Sequence, residues 1–247
     1  MAFDDDGFLD DYEIKELIDR FESQLENDRL SFFDADELNI IIDYYIQHDD
    51  FNKINVIADM AERYHSESPL YNAIMAKKYL SVQDAVAAMK YLKSDDNNFE
   101  DPDYYVNLGY AHSLLLEHEE SIEAYKKALK LFNKENCDDI YSSIGIEYMM
   151  MFQYEPALKY LIKGLKGSPD IYEQYIEITN CFFFLDRSDE AIEFFTKEID
   201  NNPYSIAAWM ALGNFYMRLQ LLEKAMEQYD DKPFNFKANI ANSEVEL

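Results

Sequence analysis

The sequence predicts an all-α protein of stacked antiparallel helix pairs. Apolar residues recur at helical spacing along most of the 247 residues. A similar block returns at Tyr105, Tyr141, Tyr175 and Trp209, in steps of 36, 34 and 34 residues. Gly and Pro are scarce at six each, less than half their usual shares of about 7% and 5%. That scarcity argues against a turn-dense β protein. Twenty Tyr and 17 Phe instead supply rings to fill helix interfaces.

The first element is a helix over Tyr12 to Leu25. Ile14, Leu17, Ile18, Phe21 and Leu25 share one face and acidic residues the other. It reads as a capping helix, because an array of stacked repeats needs a polar outer face at its end. The alternative is a helix from an earlier, degenerate repeat. Two weaker units follow. Leu38-x-x-Ile41-Ile42-x-x-Tyr45 leads to Phe51, Ile54, Ala58 and Ala61, and Tyr71-x-x-Ile74 leads to Ala87 and Tyr91. Both place a large residue, Ile42 or Met75, where later units have Gly or Thr.

Four clear blocks come next. Tyr105-x-x-Leu108-Gly109 aligns with Tyr141-x-x-Ile144-Gly145, Tyr175-x-x-Ile178-Thr179 and Trp209-x-x-Leu212-Gly213. Each continues with His112, Tyr148, Phe182 or Tyr216, then with small Ser121, Ala157, Ala191 or Ala225. A large residue ends the pattern: Tyr125, Leu161, Phe195 or Tyr229. Pro169 and Pro203 close two blocks, since Pro cannot continue a helix. Six units start near Ala35, Ser68, Pro102, Asp138, Tyr172 and Ile206. The expected divisions are an acidic segment with its cap over 1–34, the array over 35–231, and a tail over 232–247. Pro233 stops the sixth unit, and Phe234 to Asn242 looks like part of a seventh arriving early. The array either ends irregularly there or has been shortened.

This pattern resembles the tetratricopeptide repeat, a helix-turn-helix unit of 34 residues. The resemblance implies a right-handed superhelical solenoid whose first helices line a concave groove. Carried over position by position, the groove includes Asn72, Ala76, Tyr79 and Leu80 in the second unit. In the third it includes Val106, Asn107, Tyr110 and Leu114, and in the fourth Ser142, Ser143, Ile146, Met149 and Met150. The fifth gives Ile176, Asn180, Phe183 and Phe184, and the sixth Met210, Asn214, Met217 and Arg218. The family's carboxylate clamp for acidic chaperone tails needs Lys and Arg here, and Arg218 stands almost alone. No such tail is expected to bind. Met and Phe dominate the last three units, as suits a groove for an apolar or amphipathic segment. The alternative is self-burial in a tight superhelix or under the C-terminal segment.

The net charge of −28 and a pI near 4.3 argue against nucleic acid and anionic membranes, which select clustered Lys and Arg. About half of the charge lies before Pro69, either as a dock for a basic segment or simply for solubility. No apolar run approaches the roughly 20 residues of a spanning helix, and the acidic start predicts no export. Cys137 and Cys181 are too few for a disulfide framework or zinc site and suit a reducing cytoplasm. His48, His65, His112 and His118 form no metal motif, and His112 reads as a packed core residue. No phosphate-binding or nucleophile motif is present, so neither catalysis nor a cofactor is expected. The expected role is a scaffold or adaptor binding a peptide or partner helix in its groove. Two alternatives stand beside it: a module that homo-oligomerises through exposed array ends, and a regulatory module of an enzyme.

Overall fold

The computed structural model describes residues 11–27, 32–93, 101–132, 137–165 and 172–221. These residues hold twelve α-helices and no strand, so the all-α helical-repeat fold is correct. The expected break at Pro233 and the tail over 232–247 lie outside the described residues. The chain forms two compact units, residues 1–131 and 132–247, described in turn.

The first unit contains α1 (Asp11–Glu26), α2 (Ala35–Gln47), α3 (Phe51–His65), α4 (Pro69–Ser81), α5 (Ala85–Lys93), α6 (Pro102–Leu114) and α7 (His118–Leu131). Local sequence starts several of them. Asp34 accepts from Glu37 N–H at 2.8 Å while Glu37 accepts from Asp34 N–H at 3.1 Å, a reciprocal capping box. Asp50, Ser68 and Asp101 cap α3, α4 and α6 through their side-chain oxygens. Each such cap is worth about 1 kcal/mol. Helix α1 is fastened by its apolar face. Phe21 is fully buried, edge-on to Phe33 at 5.6 Å, and Leu17 and Ile18 join the core of α2 and α3. Lys53 Nζ reaches Glu22 Oε1 at 2.7 Å and lies 4.6 Å above the Tyr45 ring. Its hydrogen bond holds the Glu22 carboxyl below the usual carboxylate range.

The second repeat corrects the sequence alignment by one residue. Helix α4 begins at Pro69, so Ala76, not Met75, occupies the small-residue position. Ala76 is fully buried in one cluster with Ala88 and Leu92. Gly109 holds the matching place in α6, where an added Cβ would sit 2.8 Å from the Tyr125 ring. One residue is about 100° of helix rotation, so this shift moves Ala76 and Leu80 from the expected groove into the core. In the first repeat the bulk is reversed: Ile42 is buried on α2, and the position matching Tyr125 is the buried Ala58. The pair keeps its volume with the large residue on the other helix.

The second unit contains α8 (Asp138–Met150), α9 (Tyr154–Gly164), α10 (Tyr172–Phe184), α11 (Ser188–Asn201) and α12 (Ile206–Arg218). Gly145 lets α8 approach α9, because a Cβ there would lie 2.6 Å from Leu161 Cγ. Gly164 lets α9 approach the start of α8, where a Cβ would overlap Ser142 Oγ and lie 2.6 Å from the Asp138 carbonyl. Buried Gln174 on α10 donates to Ser142 Oγ at 2.6 Å and to the Leu161 carbonyl at 3.3 Å, tying three helices around that glycine. Phe195, fully buried, has Tyr175, Phe182, Phe194 and Phe215 within 5.2–6.3 Å between ring centroids.

The turns within pairs share one geometry. Asp49, Gln83, Leu116, Phe152, Asp186 and Gln220 all have φ of 52–61°. The next N–H returns to the carbonyl of Tyr45, Tyr79, His112, Tyr148, Phe182 or Tyr216 at 2.8–3.1 Å. This is the Schellman stop, in which a left-handed residue satisfies the last helical carbonyls. The recurring aromatic or His therefore marks the turn that reverses the chain. His112 is half-buried, and its Nδ1 lies 2.6 Å from Glu117 Oε2 across that turn.

Candidate functional site

In the second unit, the first helices of successive repeats lie side by side and α10 packs on α12. Their facing sides form an open cavity of about 480 Å³ lined by Tyr172, Ile176, Thr179, Asn180, Ala211, Asn214, Met217 and Arg218. Five of the sequence-derived groove residues, Ile176, Asn180, Asn214, Met217 and Arg218, are thus brought together. Helical phase puts them there, since positions four apart on one helix share a face.

The polar side chains of this cavity are held in place. Arg218 donates to Asn180 Oδ1 at 2.7 Å, and its guanidinium lies 4.0 Å from the centroid of the Phe183 ring. Asn214 Nδ2 donates to the Tyr172 hydroxyl at 2.6 Å. A guanidinium stacked and hydrogen-bonded in this way loses little freedom when it meets an acceptor. Beside it, Ile176 and Met217 expose apolar surface. The cavity can therefore take an apolar side chain and hydrogen-bond a peptide carbonyl next to it.

The other sequence-derived residues fall elsewhere. Phe184 stacks on Tyr154, with centroids 4.6 Å and planes 15° apart, at the turn end of α10. Ile146 and Met150 are exposed on α8, while Met149 packs against the core. Met210 is half-buried on α12. Asn107 and Tyr110 lie on α6 of the first unit, Asn107 half-buried and Tyr110 exposed.

Sequence reasoning missed a polar site in the first unit. Lys77 is buried on α4 and donates to Asn39 Oδ1 at 2.9 Å and Asp43 Oδ2 at 2.7 Å on α2. It occupies the face that the sequence alignment assigns to Ala76. The signal was available: Lys77 falls in step with Tyr110 once Ala76 is set against Gly109. The bridge links α2 to α4 and fixes their pairing; a buried amine without its partners is costly.

The two thiols are buried. Cys181 is fully enclosed, and burial pushes its pKa up to about 12, with Glu177 adding to the shift. Burial also raises Cys137. A raised thiol pKa stabilises the fold fully below the ordinary value of 9.0, and that contribution drains as pH rises toward about 12. Native protein at pH 8 should react very slowly with a thiol-disulfide reagent such as Ellman's, while urea-unfolded protein should release two equivalents promptly. Fast reaction in the native state would contradict this burial. Among the described residues, no group of three or more His, Cys, Asp or Glu could hold a metal ion. Nor is any described helix long and apolar enough to cross a membrane.

Comparison with known proteins agrees with this architecture. The tetratricopeptide repeat model matches residues 102–135 and 206–231. The BBSome complex member BBS4 of Bos taurus is 30% identical over 135 residues, 52% of this chain and 25% of that protein. The matched region thus spans about a quarter of that relative's length. Among solved structures, the APC/C hetero-tetramer Cut9–Hcn1 matches with a TM-score of 0.60 at 17% identity, over 90% of this chain and 43% of that one. MamA from Desulfovibrio magneticus RS-1 matches with a TM-score of 0.52 at 21% identity, over 65% and 90%. Identities this low speak for the fold alone. Helix pairs with small-residue contacts and Schellman turns, together with the model matches at residues 102–135 and 206–231, give this chain a fold of the tetratricopeptide-repeat kind.

Proposed function

We propose that this chain is a protein-interaction scaffold or adaptor that binds a peptide or helix of a partner on the first-helix face of its second unit. The observation that carries this reading is the α10–α12 cavity. Ile176 and Met217 offer an apolar seat there, beside the pre-positioned Asn180, Asn214 and Arg218. A flexible Met beside fixed amides suits an apolar or amphipathic segment in contact with its own backbone. The reading includes no reaction step, cofactor, nucleic acid or membrane, and it places the protein in the cytoplasm. A similar protein, BBS4, is named as a member of the BBSome complex, which supports a role in protein assembly.

A photo-crosslinking amino acid at Met217, in the full chain within its source cell, tests the reading. It should yield a discrete adduct with another polypeptide, one that Ile176→Glu abolishes. The same group at exposed Glu193 on α11 should yield none. Equal labelling from both positions would refute the groove. An adduct with a second copy of this chain would favour self-association instead.

A further inference from the structure

The turns within the first two pairs of the second unit are joined side by side. Tyr154, at the start of α9, stacks on Phe184 at the end of α10. Arg187, which precedes α11, donates to Glu155 at 2.8 Å and to Glu190 at 2.7 Å. Stack and bridge together make the two turns one ledge. On it Phe152 is 78% exposed, Phe184 55% and Met150 54%.

Phe152 is at odds with its own backbone. Its φ of 59° is left-handed, a region unfavourable to bulky side chains and suited to Gly, Asn or Asp. Four of the five equivalent turn positions carry polar residues, Asp49, Gln83, Asp186 and Gln220; the fifth, Leu116, is apolar but has no aromatic ring. The Schellman hydrogen bonds at this turn are made by backbone and need no ring. Phe152 thus combines strained backbone with a ring left in water. Such local conflicts mark functional positions more often than packing positions.

The charge around the ledge selects its occupant. Glu155, Asp186, Asp189 and Glu190 belong to the same two turns and the helix starts that follow them, and Arg187 there is already engaged with two of them. A second copy carrying −28 would be repelled. A basic chain would be attracted, and Lys or Arg could also lie over the exposed ring faces. We infer that this ledge docks a partner protein segment in which an apolar anchor is flanked by Lys or Arg. None of the ledge residues lines the α10–α12 cavity, and the basic occupant of the ledge carries the same charge as Arg218, which suits an acceptor there.

Panning a random peptide library on the full chain tests this. Selected peptides should carry an apolar residue flanked by basic ones, and binding should weaken as salt rises. Phe152→Asn should reduce their affinity about tenfold or more, as loss of a central anchor does. Asp186→Asn with Asp189→Asn should reduce it several-fold, and Met217→Glu should leave it unchanged. The melting temperature of Phe152→Asn should match or exceed that of the parent, because the turn loses strain. Peptides without basic enrichment, affinity indifferent to Phe152→Asn, or recovery of no peptide would overturn the proposal. Unfolding of Phe152→Asn would do so too, since the ring would then be structural. Peptides lost only with Met217→Glu would overturn the ledge and leave the cavity reading standing.

Discussion

Phe195→Ala should lower the stability of the 132–247 unit by about 3–5 kcal/mol, the usual cost of emptying a buried aromatic site. Phe195 on α11 stands among Tyr175 and Phe182 of α10, Phe194 of its own helix and Phe215 of α12. Deleting it opens a space lined by rings on three helices. Rings are rigid plates, so the void cannot close without moving helices. The sole Trp, Trp209, lies on α12 and donates to the Pro203 carbonyl at 3.0 Å. Its fluorescence therefore follows this unit. With a urea slope of about 2 kcal/mol/M, the midpoint should fall by about 1.5–2.5 M. A shift below about 0.5 M would mean that Phe195 is not at the centre of this core.

Gly164→Val should destabilise the same unit by about 2–3 kcal/mol, against the expectation from helix propensity. Replacing a helical Gly ordinarily gains stability, by as much as about 1 kcal/mol for Ala. At Gly164 the new Cβ would overlap Ser142 Oγ and crowd the Asp138 carbonyl and Gln174 Nε2. Neither the carbonyl nor the hydroxyl is a loose end. Ser142 Oγ already donates to Asp138 O at 2.9 Å and accepts from Gln174 at 2.6 Å. The substitution must push α8 away from α9 or break the Gln174 bonds, and both routes cost energy. Gly164→Ala separates the terms: contact should outweigh propensity, leaving a loss of about 1 kcal/mol. A gain would show that the three helices relax freely around this point. Urea titration followed by Trp209 reads both variants.

The two glycines of the α8–α9 pair differ in how they can be read from sequence. Gly145 was legible because it repeats: Gly109 and Gly213 stand in the same frame, and an aromatic precedes each by four residues. Gly164 has no such counterpart and looks like an ordinary helix-weakening residue. Its role depends on Ser142 and Gln174, which are distant in sequence and arrive from two other helices. The second repeat shows the same limit. Met75 and Ala76 are neighbours in sequence, and only the start of α4 at Pro69 decides which one faces α5. That one-residue choice also decided whether Lys77 or Ala76 met the partners on α2.

By itself, then, the sequence determined what periodicity can carry. Helix pairs, their order, the small residues at repeating contacts and the aromatic before each turn all follow from local spacing. Each can be read because each recurs. The tertiary structure alone decided which first-helix side chains come together and which are consumed by packing. Asn180, Asn214, Met217 and Arg218 line one open cavity, whereas Met149 goes to the core and Phe184 to Tyr154. A helical position fixes a direction, not a neighbour. The neighbour depends on how adjacent repeats are rotated and how near they come, and contacts such as that of Gly164 with Gln174 bear on both.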